Sequence, residues 1–154
     1  PIKKNRTQFI IEKATELGAA RIIPVKTEFT NAERIKRENL CAHAIEAAEQ
    51  CRGTFVPAVE ELTELGNLLN KWPDDRGILF CNEMLAGEKI ELPKKGIRKW
   101  AILIGPEGGF SVSEQTKLNN NKLIFPIDLG PRILRADTAV VAAMSLWQKR
   151  FGDW

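Results

Sequence analysis

No run of apolar residues in this 154-residue chain approaches the roughly 20 positions that a membrane span requires, and no charged-then-apolar leader opens it. Histidine is almost absent: His43 is the only one. Cysteine is scarce and odd in number, with Cys41, Cys51 and Cys81 at no metal-ligand spacing. These shortages argue against a zinc site and for reduced thiols, so a cytoplasmic protein without a metal is expected. Charge of one sign is not in large excess either. A net charge of +3 permits an anionic partner such as RNA without demanding one. Repeats, low-complexity tracts and linkers are lacking too, and a single domain with a sizeable core is expected over residues 1–154. What remains, 44% apolar and 28% charged residues, is the composition of a globular protein and excludes the disordered and fibrous classes.

Periodicity supplies the elements. In "TQFIIEKATELGAA" (7–20), Phe9, Ile10, Lys13, Ala14 and Leu17 recur at helical spacing, with Thr7 as the expected cap and Gly18 as the stop. "RIIPV" (21–25) reads as a short buried strand. A long helix is expected from about 33 to 50 with Ile35, Leu40, Ala44, Ile45 and Ala48 as its apolar stripe. An extended piece at "FVPAVEEL" and a shorter helix over 62–69 follow. "RGILFCNE" (76–83), "KWAILIG" (99–105) and "KLIFPIDLG" (122–130) are compact apolar runs bounded by turn residues, each read as a buried parallel strand. "SVSEQTKL" opens a helix capped by Ser111 or Ser113, and a last helix covers about 136–150, apolar at Val140, Val141, Met144 and Trp147. Strands alternating with helices predict an α/β domain with a mainly parallel sheet. Trp100 and Trp147 are expected in the core, and His43 on a surface or between packed helices.

In open parallel sheets, ligands bind beyond the carboxyl ends of the strands. Three predicted strands end in conspicuous loops: "CNEM" after Cys81, "GPEGGFS" after Ile104 and "DLGPRILRADTA" after Ile127. Glycines there let a ligand approach the backbone. A phosphate fits poorly, because the P-loop Gly-Lys-Ser/Thr ending and G-x-G-x-x-G spacing are both missing, and Glu107 would repel it. A ligand with hydrogen-bond donors or positive charge fits better, and backbone amides there could read an adenine edge. A tight strand-to-helix turn with an exposed Glu107 explains the same residues equally well. Arg132 and Arg135 suit bidentate recognition of phosphate or carboxylate. An Arg135–Asp137 ion pair, with Asp137 or Thr138 capping the last helix, is the structural alternative. Lys3, Lys4 and Arg6 either meet phosphates or form a solvated terminus. Glu46, Glu49, Gln50 and Arg52 read as a solvated helix face.

Four strings, "EKATELGAARIIPV", "EAAEQCR", "LIGPEGGFSVSE" and "LGPRILRADTA", stand in the order and spacing of the bacterial 16S ribosomal RNA uridine N3-methyltransferases. The chain resembles this family, the RsmE type of the SPOUT class, from about 5 to 147. The resemblance implies an α/β fold with a SPOUT-type, mainly parallel sheet flanked by helices and a C-terminal trefoil knot, an exception to unknotted topology. It implies S-adenosylmethionine as cofactor. Cys81, Asn82 and Glu83 would lie along its edge. Ile104, Gly105, Pro106, Glu107, Gly108 and Gly109 would wrap its methionine or ribose side. Leu129, Gly130, Ile133, Leu134, Arg135 and Ala136 would cradle the adenine. It also implies a homodimer whose interface completes the site, and 16S ribosomal RNA or the small ribosomal subunit as partner.

Three departures from the family pattern stand out. An N-terminal RNA-binding domain of PUA-like type and a first catalytic strand would precede Pro1, so a truncated catalytic domain is expected. Phe29 stands where the family usually has Arg, and Asp137 replaces the more usual Glu. Two alternatives stay open: a SPOUT enzyme acting on another RNA, such as transfer RNA, whose Asn-rich motifs are missing here, and a non-catalytic RNA-binding fragment. Methyl transfer to the uridine imide nitrogen needs help with its proton. Arg135 is the candidate for stabilising the uridine anion or a nearby phosphate, with Glu107 or Glu83 as rival proton acceptors.

Overall fold

The structure, a computed structural model, describes residues 4–30, 36–82 and 97–154. Glu83, Ile35 and Lys3 lie outside the described residues.

The first helix, α1 (Lys4–Glu16), begins three residues before the expected start and leaves Thr7 inside its first turns rather than at the cap. It stops where Gly18 takes φ +82°, a left-handed conformation that costs glycine little. The single strand expected over 21–25 is split. β1 (Arg21–Ile22) and β2 (Val25–Lys26) pair in parallel with β3 (Ala58–Val59) and β4 (Thr63–Glu64). Pro24, which has no N–H to give a ladder, stands at the break. Its carbonyl still accepts from the Thr63 amide at 3.1 Å. Between these strands runs α2 (Arg37–Gln50). Its buried stripe is Leu40, Ala44, Ala47 and Ala48, whereas Ile45, expected on that stripe, is 48% exposed. Glu46, Glu49, Gln50 and Arg52 are exposed, as a solvated face should be. The helix expected over 62–69 is shorter and later: α3 covers Leu65–Asn70, after β4 has used Thr63 and Glu64.

The three apolar runs are strands: β5 (Arg76–Cys81), β6 (Lys99–Ile104) and β7 (Ile124–Ile127). They form one parallel sheet with β5 in the middle, in the order β6-β5-β7. A central strand covered on both faces needs apolar side chains at consecutive positions. Gly77 through Phe80 are accordingly all buried. On one face Ile78 and Phe80 pack with Leu65 of α3, Ile124, and Leu118 of α4 (Val112–Asn119). The other face is covered by α5 (Ala136–Phe151), which also packs against α1. There Trp100 stacks on Phe151 with ring centroids 5.9 Å apart and meets Phe125 edge-on. Both Trp100 and Trp147 are only partly buried. His43 lies between helices: its Nε2 is 2.7 Å from Gln8 of α1.

Parallel sheets flanked by helices agree with the expected fold class. The connection after β5, over which the expected trefoil knot would have to be traced, includes residues 83–96, outside the described set.

Candidate active site

Cys81, Ile104 and Ile127 are the last residues of β5, β6 and β7, and all three open into one cleft of about 420 Å³. The loops after these strands form its walls. Of the residues expected in a site, Cys81, Asn82, Ile104, Gly105, Pro106, Glu107, Gly109, Leu129, Gly130, Ile133, Leu134, Arg135 and Ala136 line it. Gly108 is not among the lining residues. A Cβ on it would lie 3.3 Å from the Phe29 Cβ, so its open side faces the 27–30 segment. Glu83, the remaining expected member, lies outside the described residues.

The wall after β6 is shaped by short-range bonds. The Gly109 amide donates to the Pro106 carbonyl at 2.9 Å, closing a turn over Glu107 and Gly108. Ser111, not Ser113, then caps α4 in a full capping box: its hydroxyl accepts from the Glu114 amide, and Glu114 Oε2 accepts from the Ser111 amide at 2.9 Å. Glu114 Oε1 accepts from the Glu28 amide, also at 2.9 Å, and so pins the 27–30 segment to the same loop. The wall after β7 is an Asx turn. Asp128 Oδ1 accepts from the Gly130 amide at 2.9 Å, and Gly130 takes φ +110° with nothing within 4 Å of the place a Cβ would occupy. A planar ligand ring can therefore approach the backbone at Gly130 unhindered.

Charge at the cleft differs from expectation in two ways. Asp137 does not cap α5 and does not pair with Arg135. The N-cap position is Arg135 itself, without a side-chain bond, and Asp137 Oδ1 accepts from the adjacent Thr138 amide. Its other oxygen is 3.9 Å from Arg6 Nε. Glu107, for which the turn reading expected only an exposed carboxylate, is also engaged: Arg6 Nη1 donates to its Oε1. Arg6 thus belongs to the cleft wall, not to a solvated terminus. The one sequence signal was its place in the basic cluster with Lys3 and Lys4, which pointed to phosphate contact or a solvated terminus. Arg135 is exposed and, among the described residues, no carboxylate pairs with it or with Arg132. Arg132 also lines the cleft, and Phe80, Phe110, Gln115, Ile127, Asp128 and Ala139, which sequence reasoning did not single out, complete the lining.

Burial holds the Cys81 thiol in its neutral form, its pKa pushed up to about 12 from an ordinary 9.0. Alkylation needs the thiolate. Iodoacetamide at pH 8 is therefore expected to label exposed Cys51 in the native protein well before Cys81. Peptide mass spectrometry checks this, and equal labelling rates would contradict the placement of Cys81. Among the described residues, no cluster of His, Cys, Asp and Glu is arranged to hold a metal, and no helix is long and apolar enough to cross a membrane.

With this geometry in place, the comparisons with known proteins are specific. The family model described as RNA methyltransferase domain matches residues 1–148. Ribosomal RNA small subunit methyltransferase E of Buchnera aphidicola (from Schizaphis graminum) is 33% identical over 160 residues, covering 98% of this chain and 63% of the relative. The Bacillus subtilis enzyme of the same name is 34% identical, covering 93% and 60%. This chain thus spans less than two thirds of the length of these relatives. Among solved structures, ribosomal RNA small subunit methyltransferase E from Neisseria gonorrhoeae, bound to S-adenosyl methionine, superposes with TM-score 0.87 at 28% identity, covering 99% of this chain and 64% of that one. A Legionella pneumophila methyltransferase in complex with SAM gives 0.81 at 27% identity, covering 96% and 62%. A match along nearly the whole chain, together with a cleft at the ends of three parallel strands, means that this protein belongs to the RNA methyltransferase domain family.

Proposed function

We propose that this chain is the cofactor-binding and methyl-transferring domain of an enzyme that methylates N3 of a uridine in 16S ribosomal RNA, with S-adenosylmethionine as methyl donor. The observation that carries this reading is the backbone-walled cleft at Cys81, Ile104 and Ile127 in a chain whose fold matches a cofactor-bound relative over 99% of its length.

The residues present fit the cofactor. Gly130, open above its Cα, suits the face of an adenine, and the backbone of the 129–136 loop, which lines the same cleft, suits its edge. Ile104, Ile127 and Leu134 supply apolar surface for ribose and thioether carbons, and side chains of both charge signs line the same cleft. When bound, the cofactor supplies an electrophilic methyl group on a sulfonium. The chain must then orient a uridine in line with that methyl and favour loss of the N3 proton. Arg135 does the second task. Its exposed guanidinium at the cleft rim has no competing carboxylate among the described residues, so it is available to an imide anion or an adjacent phosphate.

The assembly reading includes a homodimer that completes the site. Exposed Ile133 beside the cleft and Leu146 on α5, 72% and 57% accessible, support it as apolar surface for a partner subunit. The C-terminal trefoil knot and action in the cytoplasm, where ribosomes are assembled, belong to the same proposal. The test uses small subunits from cells lacking the enzyme and the protein with labelled S-adenosylmethionine. The expected result is one methyl per subunit, mapped by mass spectrometry to N3 of a uridine. Methylation of transfer RNA instead would overturn the substrate. RNA binding without cofactor binding would reduce the domain to a non-catalytic binder.

A further inference from the structure

We infer that Arg6 and Glu107 together form the docking site for the amino-acid end of the cofactor, a role that rests on the cofactor reading above. The two residues are 101 positions apart and meet across the cleft wall, Arg6 from the first turns of α1 and Glu107 from the turn after β6. Their ion pair uses only part of each group. Arg6 presents Nη1 to Glu107 Oε1 and Nε toward Asp137 Oδ2, and among the described residues its Nη2 has no partner. Glu107 Oε2 likewise has none among the described residues. The paired side chains, 25% and 41% accessible, therefore each keep one group free among the described residues: a donor on Arg6 and an acceptor oxygen on Glu107.

That pattern is complementary to a zwitterion. An α-amino acid carries an ammonium donor and a carboxylate acceptor on a single carbon, so it can lie antiparallel along an Arg–Glu pair. Its carboxylate then meets the guanidinium and its ammonium meets the free carboxylate oxygen. No charge is stranded, because four alternating charges neutralise one another at a partly dehydrated wall. Asp137 keeps the guanidinium in place from the α5 side, which limits the ordering needed when ligand binds. A phosphate is disfavoured at this spot by two carboxylates flanking one arginine. Placing the zwitterion here leaves Gly130, in the opposite loop, free for the adenine.

Calorimetry with two thioethers separates this role from a structural one. S-adenosylhomocysteine has the amino-acid end; 5′-methylthioadenosine lacks it and is otherwise the same. Losing one charge-assisted contact corresponds to roughly 10- to 100-fold in affinity. Arg6→Met and Glu107→Gln are each expected to weaken S-adenosylhomocysteine by about that factor, while methylthioadenosine binding stays within about twofold of wild type. Arg6→Lys, which keeps the charge and loses the fork, should fall between. Equal losses for both ligands would overturn the inference, since they would mark a wall that merely holds the cleft together. Unchanged S-adenosylhomocysteine binding in both Arg6→Met and Glu107→Gln would overturn it as well. Should Arg6→Met fail to fold, Glu107→Gln carries the same comparison. Failure of the wild-type protein to bind either thioether would sink the cofactor reading itself, a result distinct from any difference between variants.

Discussion

Arg135→Ala is expected to lower methyl transfer by at least about a hundredfold, the scale set by removing one group that stabilises developing negative charge. Cofactor affinity should stay within several-fold of wild type. The structure explains why the two can separate. Arg135 starts α5 through its backbone, with φ −66° and ψ 154°, and its carbonyl accepts from the Ala139 amide at 2.8 Å. None of this uses the side chain, which makes no capping bond. Truncation therefore removes neither a helix cap nor an ion pair within the described residues, and the melting temperature should barely move. What disappears is a cation at the rim of the cleft. Single-turnover methylation of small subunits, run beside calorimetry and a thermal melt, reads all three quantities. Arg135→Lys should recover part of the rate, since charge returns without the planar fork. Full activity in Arg135→Ala would remove Arg135 from the chemistry.

Gly105→Val is expected to abolish measurable cofactor binding and to destabilise the fold by about 1–3 kcal/mol, the usual result of overpacking a filled site. Gly105 follows directly on β6 and lines the cleft. A Cβ there would fall 2.8 Å from Phe110 Cε2. Phe110 has little freedom to retreat. It meets Phe80 edge-on at 5.3 Å, packs on the Ile78–Leu118–Ile124 cluster, and itself lines the cleft. Any retreat of the ring disturbs the core or fills ligand space. Gly108→Ala is the control. Its added methyl meets Phe29 at 3.3 Å, away from the cleft, so a small adjustment of the 27–30 segment should accommodate it with cofactor binding kept. Calorimetry with S-adenosylhomocysteine and urea melts of both variants measure the contrast. A binding loss in Gly108→Ala with none in Gly105→Val would reverse the assignment of the loop's two faces.

The difference between those glycines marks how far the sequence could be read. "GPEGGFS" announces a sharp turn after a strand, because glycine and proline act through their own φ angles and need no distant partner. The side of the loop on which each residue ends up depends on where Phe110 and Phe29 arrive, and neither is implied by spacing. The α2 helix teaches the same lesson. Its existence follows from periodicity, but Ile45 fits the stripe and still faces solvent, because α1 and β3 cover a neighbouring arc.

The sequence by itself determined the three parallel strands, the loops at their carboxyl ends, the Ser111 cap region and the family. Each of these is written in short, contiguous strings whose conformational preferences are local. Only the tertiary structure decided the charges of the cleft. Arg6 reaches Glu107 across 101 residues, and Asp137 turns to Arg6 rather than to Arg135, its neighbour but one in the chain. An ion pair is chosen by distance in space, and that distance exists only after α1 has packed against α5 beside the end of β6.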